Sequence, residues 1–451
     1  MREKRQKQMP LMAHIMNHPQ SQELEAISAI IDANPTICDY ILQDLNKGKV
    51  QPKRTGANGM TADQVLRCAI VKFLFDLTYE ELAFHIVDSH SIRWFCRIGF
   101  AEDGFQKSTL NSNIKRISGG SWEMINRDFL GYAKAQGVEK GRKVRTDCTC
   151  VESNIHPPRD STLLWDSVRV LTRLIERVRN SCGMVSGYRD HTRRAKRRTM
   201  AIMNAKNQTQ RKAAYLDLLK ITKQVIGYAQ TAQTVIVAGI NHNHQHALLN
   251  QIKHYALLAE RVVNQTHRRV VMNEKVPAQE KVVSIFEPHT DIIVKDRRDT
   301  IYGHKICLTG GASNLILDCV IERGNPADVD LAISMLDRQK EIYNRYPLKV
   351  SFDGGFASKN NLKLAKDRKI KDVCFAKKRG LNETDMCRSE HVYHRLRCFR
   401  AGIESGISWL KRCMGLTRCN WKGWEAFKSY VWSSIVVANL LTLARAKLPA
   451  H

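Results

Sequence analysis

Apolar positions recur at helical spacing through residues 61–118, in segments that each contain a Ser or Thr near their start. Such side chains accept hydrogen bonds from the first N–H groups of a helix, so they favour helix starts. We predict one helix for each of four segments: TADQVLRCAIVKFLFDL, TYEELAFHIVDS, SIRWFCRIGF and KSTLNSNIKRIS. A further helix, SQELEAISAIIDA, is predicted upstream. The pattern indicates an all-helical domain over 59–140, preceded by a polar, basic lead-in of residues 1–58.

The pattern changes near residue 143, where KVRTDCTCV alternates as a strand does. A mainly helical stretch follows over about 162–280. Beyond it the predicted order is strand, strand, helix, strand, helix, strand, helix, carried by these segments: HKICLTG, LILDCVIE, ADVDLAISMLDRQKEIYNR, PLKVSFD, KNNLKLAKDR, KDVCFA and YHRLRCFRAGIESGISWLKRCMG. With the first strand, this is the order of a ribonuclease H-like α/β domain. We therefore expect such a catalytic domain over 141–451, with a helical insertion at about 155–300; the alternative is a generic α/β domain.

The composition of the chain indicates a class of binding partner. The chain of 451 residues carries 72 Lys and Arg against 44 Asp and Glu, a formal net charge of +28. That field attracts polyanions, so nucleic acid is the expected partner and an acidic membrane surface the weaker alternative. No uninterrupted apolar run approaches the length of a membrane span, so we expect a cytoplasmic protein without a membrane partner. The 13 cysteines are expected to be reduced thiols.

Three acidic residues fall on the elements where metal-dependent phosphodiester chemistry would need them. Asp147 shares a strand face with Arg145, and Asp353 ends a later strand, so their carboxylates are expected to meet at neighbouring strand ends. Glu404 lies on the last helix, beside an apolar stripe of Phe399, Ile403, Ile407, Leu410 and Met414. Divalent cations prefer such oxygen ligands. Each acid alone would more often be a solvated or helix-capping carboxylate.

These motifs resemble those of bacterial DDE-type insertion-sequence transposases of the superfamily grouped around insertion sequence five. The likeness is carried by RTDCTCVESNIHPPRDSTLL, VSFDGGFAS, RAGIESGISWLKRCMGL and the helical segments of the N-terminal region. The family spacing is Tyr, two residues, Arg, three residues, Glu, six residues, Lys. Arg400, Glu404 and Lys411 fit it, whereas Arg397 stands at the tyrosine position.

The resemblance implies a reaction, a cofactor and a location. In the family the three acids bind Mg²⁺, for which Mn²⁺ can substitute, and the Arg and Lys contact transposon-end DNA. It implies that Asp147, Asp353 and Glu404 bind the metal and that Arg400 and Lys411 bind DNA. The expected partners are double-stranded DNA, as terminal inverted repeats and as target, and a second protomer in the synaptic complex. The expected location is the bacterial cytoplasm, at the nucleoid.

Two further segments are candidates for DNA contact. Residues 189–223 contain 11 Lys or Arg and two Asp. Their densest part is expected to neutralise phosphates without reading bases: Arg193, Arg194, Lys196, Arg197 and Arg198. KSTLNSNIKRIS could be a recognition helix that uses Asn111, Asn113, Lys115 and Arg116. The alternatives are a solvated helix face for the first and a helix that supports the core for the second.

Two clusters of metal-binding residue types have simpler interpretations. His242, His244 and His246 are interpreted as a polar loop. Cys387, His391, His394 and Cys398 fall at helical spacing, and zinc is an alternative to surface histidines with buried thiols. For the whole protein, the alternatives to a transposase are a DNA-binding regulator with a decayed catalytic core and a ribonuclease H-like nuclease.

Overall fold

The structure is a computed structural model that describes residues 18–48, 59–99, 102–182, 185–238, 243–295 and 299–448. These residues belong to two compact units. The core unit comprises Met1–Val151, Lys305–Glu322 and Pro326–His451. The helical unit comprises Glu152–His304 and Arg323–Asn325.

Within its described residues, the core unit begins with these helices: α1 (Pro19–Asp32), α2 (Ile37–Asn46), α3 (Ala62–Leu74), α4 (Tyr79–Asp88), α5 (His90–Phe95), α6 (Lys107–Ile114) and α7 (Gly119–Ala135). Thr61 and Thr78 each begin a helix with a capping box, in which the side chain of the third helical residue bonds back to the cap. α5 is capped by Ser89 instead of Ser91, and α6 follows Gln106 without a capping side chain. The sequence had not predicted α2 or α7.

A mixed sheet follows in the core unit, as the strand pattern predicted. Its strands are β1 (Lys143–Glu152), the second part of β3 (Asp299–Gly310), β4 (Ile316–Ile321), β5 (Lys349–Phe352) and β6 (Asp372–Phe375). β3 lies between β4, its antiparallel partner, and β1. β1, β5 and β6 run parallel to one another. The interspersed helices are α12 (Asp328–Tyr343), α13 (Lys359–Asp367), α14 (Glu383–Met386) and α15 (Glu390–Cys413).

The last helix, α16 (Trp424–Lys447), is a core element that the sequence pattern did not reveal. It packs against α1, α3 and α7 of the same unit. Asn439 accepts a hydrogen bond from the Ile316 N–H (2.8 Å) and donates to the Asn126 side chain (2.8 Å), which links β4 to α7. Among the described residues, α16 is the one helix long and apolar enough to cross a membrane, and 83% of that apolar window is buried inside the protein. Its burial identifies a core helix.

The helical unit is built from α8 (Asp160–Cys182), α9 (Thr192–Asn204), α10 (Gln208–Ala238) and α11 (Asn243–Val270). These helices share an apolar core of their own, in which Leu171, Ile221 and Val262 are fully buried. A short strand, β2 (Asp291–Lys295), pairs antiparallel with the first residues of β3. The sequence had predicted neither β2 nor the early start of β3.

One loop prediction is wrong. α11 begins at Asn243, so His244 and His246 lie in its first turn. His242 lies outside the described residues.

Candidate active site

Strand register places Asp147 beside Asp353. In the parallel pair formed by β1 and β5, Thr146 is opposite Phe352, and each aspartate is the next residue of its chain. Side chains alternate along a strand, so Arg145 and Asp147 share one face of β1, and Ser351 and Asp353 share the same face of β5. α15 covers this face, because Arg145 Nη1 donates to the Phe399 carbonyl (2.9 Å) and Ser351 Oγ donates to the Leu396 carbonyl (2.9 Å).

α15 approaches the sheet closely because two glycines make room for it. A Cβ added at Gly402 would lie 1.8 Å from Arg145 Nη1, and a Cβ at Gly310 would lie 2.8 Å from Ile403 Cδ1. The Arg145 guanidinium also lies over the Phe399 ring, 4.6 Å from its centroid. Arg145 therefore fixes both the height and the rotation of α15 above β1.

With α15 in this position, three carboxylates converge on one guanidinium. Arg400 Nη1 lies 3.1 Å from Asp353 Oδ1 and 3.6 Å from Asp147 Oδ2. Arg400 Nη2 donates to Glu404 Oε1 at 2.6 Å, across one helical turn. The structure therefore brings together the three predicted acids and the predicted DNA-binding arginine.

Asp147 is the most enclosed acid of the three, with 17% of its side chain exposed, against 37% for Asp353 and 57% for Glu404. Burial raises the pKa of Asp147 to about 6, and repulsion from Asp353 and Glu404 adds to the increase. The Cys148 N–H, which donates to Asp147 Oδ1 at 2.8 Å, and Arg400 both oppose it. A cation of higher charge than Arg400 would hold this carboxylate ionised more firmly.

The donor set fits a hard divalent cation in its chemistry, although the carboxylate oxygens are spaced around Arg400 and not around one ion. Three carboxylates meet around one positive group, and carboxylate oxygens are the ligands that Mg²⁺ uses in proteins. As placed, the oxygens hold Arg400: no group of three or more His, Cys, Asp or Glu side chains within the described ranges is positioned to hold one ion. The zinc candidates among the described residues likewise do not form a group positioned to hold an ion. Cys387 is buried with its thiol toward the Val373 carbonyl, while Cys398 is exposed.

The other two family positions of α15 differ in exposure, since Arg397 is exposed and Lys411 is half-buried. Arg397, at the family's tyrosine position, is exposed. Lys411 lies in the last turn, seven residues after Glu404 and therefore about 10 Å further along the helix axis.

The five cations of the basic stretch lie on α9 of the helical unit. Arg194 and Arg198 both pair with Asp217, the former at 2.5 Å. Arg193, Lys196 and Arg197 are exposed, and the described residues give them no ion-pair partner. α9 thus presents three cations that are open to a polyanion and two that are already partly neutralised.

On α6 and in the two residues that follow it, most of the predicted base-reading side chains make internal contacts. The Asn113 amide donates to the Thr109 carbonyl (2.9 Å), and Arg116 donates to the Leu45 carbonyl (3.2 Å). Lys115 Nζ lies 5.6 Å from the centroid of the Tyr79 ring. Asn111 is half-buried. A recognition role for α6 would require these contacts to be exchanged for DNA contacts, and it stays a prediction.

Comparison with known protein families gives two matches. The transposase DDE domain matches residues 293–440, and the transposase domain DUF772 matches residues 14–116. The first range contains Asp353 and Glu404. Together the two matches indicate a DDE-type insertion-sequence transposase, and the DDE domain implies a ribonuclease H-like core. No curated protein and no solved structure matches the chain significantly.

Two features of the site were absent from the sequence predictions. Arg145 was placed on the face of Asp147 by strand alternation but received no role, although a charged residue on a covered sheet face is itself a signal. Arg400 was expected to contact DNA, and its position among the three carboxylates depends on the rotation of α15, which the sequence pattern does not specify.

Proposed function

We propose that this transposase binds the terminal inverted repeats of its insertion sequence and catalyses divalent-metal-dependent DNA cleavage and strand transfer through Asp147, Asp353 and Glu404. The observation that carries the proposal is the convergence of these three carboxylates on one cationic group, where the parallel pairing of β1 with β5 ends. Mg²⁺ is the proposed cofactor, with Mn²⁺ as a substitute.

A bound pair of divalent ions would supply activation of the attacking oxygen and charge stabilisation for the leaving oxygen. The residues of the chain hold the metal-binding carboxylates in place. β1 and β5 hold Asp147 and Asp353 at a fixed separation, and Arg145 holds α15 so that Glu404 faces them. Arg400 and Lys411 are proposed to bind phosphates of the transposon end.

We assign nonspecific DNA contact to α9 and end recognition to the N-terminal helical region, with 59–140 as the proposed DNA-binding domain. Exposed cations to which the described residues give no ion-pair partner suit phosphates, because release of condensed counterions drives their binding. The match of residues 14–116 to a transposase domain supports a DNA-related role for the N-terminal helices. A protein that acts on bacterial DNA would work in the cytoplasm, at the nucleoid.

The test is a cleavage and joining assay on a plasmid that carries the element's ends, identified as inverted repeats in the DNA that flanks the reading frame. With Mg²⁺, wild-type protein is expected to cut at the ends and join them to target DNA. Ala at Asp147, Asp353 or Glu404 should abolish both steps and leave end binding, measured without divalent metal, nearly intact. Glu341→Ala, an exposed carboxylate of α12, is the matched control and should act like wild type.

Each alternative outcome would change the assignment of the site or of the function. Full cleavage by an Ala variant would refute the site assignment. Binding of ends by wild-type protein with no cleavage in Mg²⁺ or Mn²⁺ would indicate a regulator whose catalytic core has decayed. Cleavage without joining would indicate a nuclease.

We further propose a homodimer in the synaptic complex, because two identical ends must be held at once and present the same surface to identical subunits. Mixing wild-type protein with Glu404→Ala protein tests this. Dominant inhibition of the paired-end product is expected at modest excess of the variant. A yield that follows only the wild-type concentration, with variant on half of the ends, would show that each protomer works alone.

A further inference from the structure

Arg400 occupies the centre of the carboxylate group that the proposed function assigns to metal. Its guanidinium contacts all three acids at once, at 2.6, 3.1 and 3.6 Å. Only 17% of the Arg400 side chain is exposed, so the guanidinium itself is enclosed, although Glu404 on one side of it is 57% exposed. A divalent cation needs the same oxygen atoms, so the metal and the guanidinium compete for them.

The charge balance of the cluster allows it to attract a divalent ion while Arg400 is in place, but not to hold both cations together. One positive charge faces three negative charges, so the cluster keeps a net negative charge and still attracts a divalent ion. Two closely held positive species at this site would repel each other in surroundings of reduced dielectric. Metal can therefore fill the site fully only when the Arg400 head group moves out.

DNA offers the group that could take Arg400 away. A guanidinium binds phosphate through two parallel hydrogen bonds, in the same geometry that it uses for carboxylates. The site opens on the side of Glu404, which is 57% exposed, so a phosphate can reach the guanidinium there without unfolding the sheet edge. The opposite side is closed by β1 and by the enclosed Asp147, which is 17% exposed.

We propose that Arg400 is an exchangeable internal cation that couples metal binding to DNA binding. Without DNA, Arg400 holds the three carboxylates and keeps metal affinity low. When the DNA end binds, a phosphate takes the guanidinium and the carboxylates become available to metal. By reciprocity, metal then raises the affinity for the DNA end by the same factor. This inference rests on the proposed function of the three acids.

The test measures Mn²⁺ binding by the loss of the free-ion electron paramagnetic resonance signal, with and without a pre-cleaved end duplex that cannot be cut again. DNA should tighten Mn²⁺ binding by wild-type protein about tenfold or more. Arg400→Gln should bind Mn²⁺ about tenfold more tightly than wild type without DNA, and DNA should add little. Arg395→Gln, an exposed cation on the same helix and outside the family spacing, is the control and should behave as wild type.

The inference is overturned if Arg400→Gln binds Mn²⁺ no more tightly than wild type, or if DNA leaves the affinity of wild type unchanged. Arg400→Lys is a second test if the Gln variant does not fold. A lysine keeps the charge but lacks the planar group that donates two parallel hydrogen bonds, so it should give an intermediate Mn²⁺ affinity.

A second substitution separates this inference from the proposed function. Asp353→Asn in the Arg400→Gln background should abolish Mn²⁺ binding. If it does, and Arg400→Gln alone has wild-type affinity, only the coupling is wrong. If Asp353→Asn leaves Mn²⁺ binding unchanged, the assignment of the three acids to metal is wrong as well.

Discussion

Charged side chains are held in opposite ways in the two units. In the core unit, Asp147, Asp353 and Glu404 are fixed by strand register and helix packing around one arginine. In the helical unit, Arg193, Lys196 and Arg197 extend from an exposed face of α9. A site for metal chemistry needs oxygen atoms at defined positions, whereas counterion release needs only an accumulation of charge. The comparison predicts that the core site is sensitive to single atoms and that α9 responds to the number of charges.

The largest effect is expected from isosteric neutralisation in the core unit. Asp147→Asn or Asp353→Asn keeps the shape of the side chain but removes the charge that would offset a divalent ion. Cleavage should fall by about 10³-fold or more, which corresponds to roughly 4 kcal/mol of transition-state stabilisation. Single-turnover cleavage of an end duplex measures this, and end binding measured without divalent metal should change less than about threefold. Retention of one tenth of the wild-type rate by either variant would contradict the assignment.

The next effect concerns α9 and distinguishes partnered from unpartnered cations. Ala at Arg193, Arg194, Lys196, Arg197 and Arg198 together should weaken binding of specific and unrelated duplexes alike. Ala at Arg193, Lys196 and Arg197 alone should account for most of this loss, because Asp217 already partly neutralises the other two. Each lost phosphate contact should reduce the slope of log K against log salt by about 0.9.

The control for α9 is the double variant Arg194→Ala, Arg198→Ala, which should change the slope less than the triple variant. Equal effects would show that Asp217 does not limit those arginines. A loss confined to the cognate end would show that α9 reads bases.

The sequence predicted those features that depend on neighbouring residues of the chain, and it missed those that depend on contacts between distant elements. Alternation in KVRTDCTCV and PLKVSFD placed Asp147 and Asp353 on matching strand faces, and the register of β1 with β5 agrees. The predicted position at a strand end is wrong for Asp147, because β1 continues to Glu152 and only its pairing with β5 stops at Thr146. α16 escaped the pattern because residues 429–441 are buried on all sides, so the helix has no polar face to set a period. The position of Arg400 depends on two glycine contacts between elements far apart in the chain, and no local pattern contains that information.

The smallest effect tests that close packing directly. Gly402→Ala would force a methyl group into the space of the Arg145 guanidinium, where the added Cβ would lie 1.8 Å from Nη1. Overpacking of this kind costs about 1–3 kcal/mol of unfolding free energy. Gly406→Ala is the matched control on the same helix, because its Cβ would meet its nearest atom at 3.9 Å. There the alanine should stabilise the protein by about 0.5–1 kcal/mol through its better helix propensity. Urea unfolding measures both changes. If Gly402→Ala is as stable as Gly406→Ala and cleaves at the wild-type rate, then α15 does not need Arg145 as its spacer, and the rotation of the helix that brings Glu404 to the aspartates has another cause.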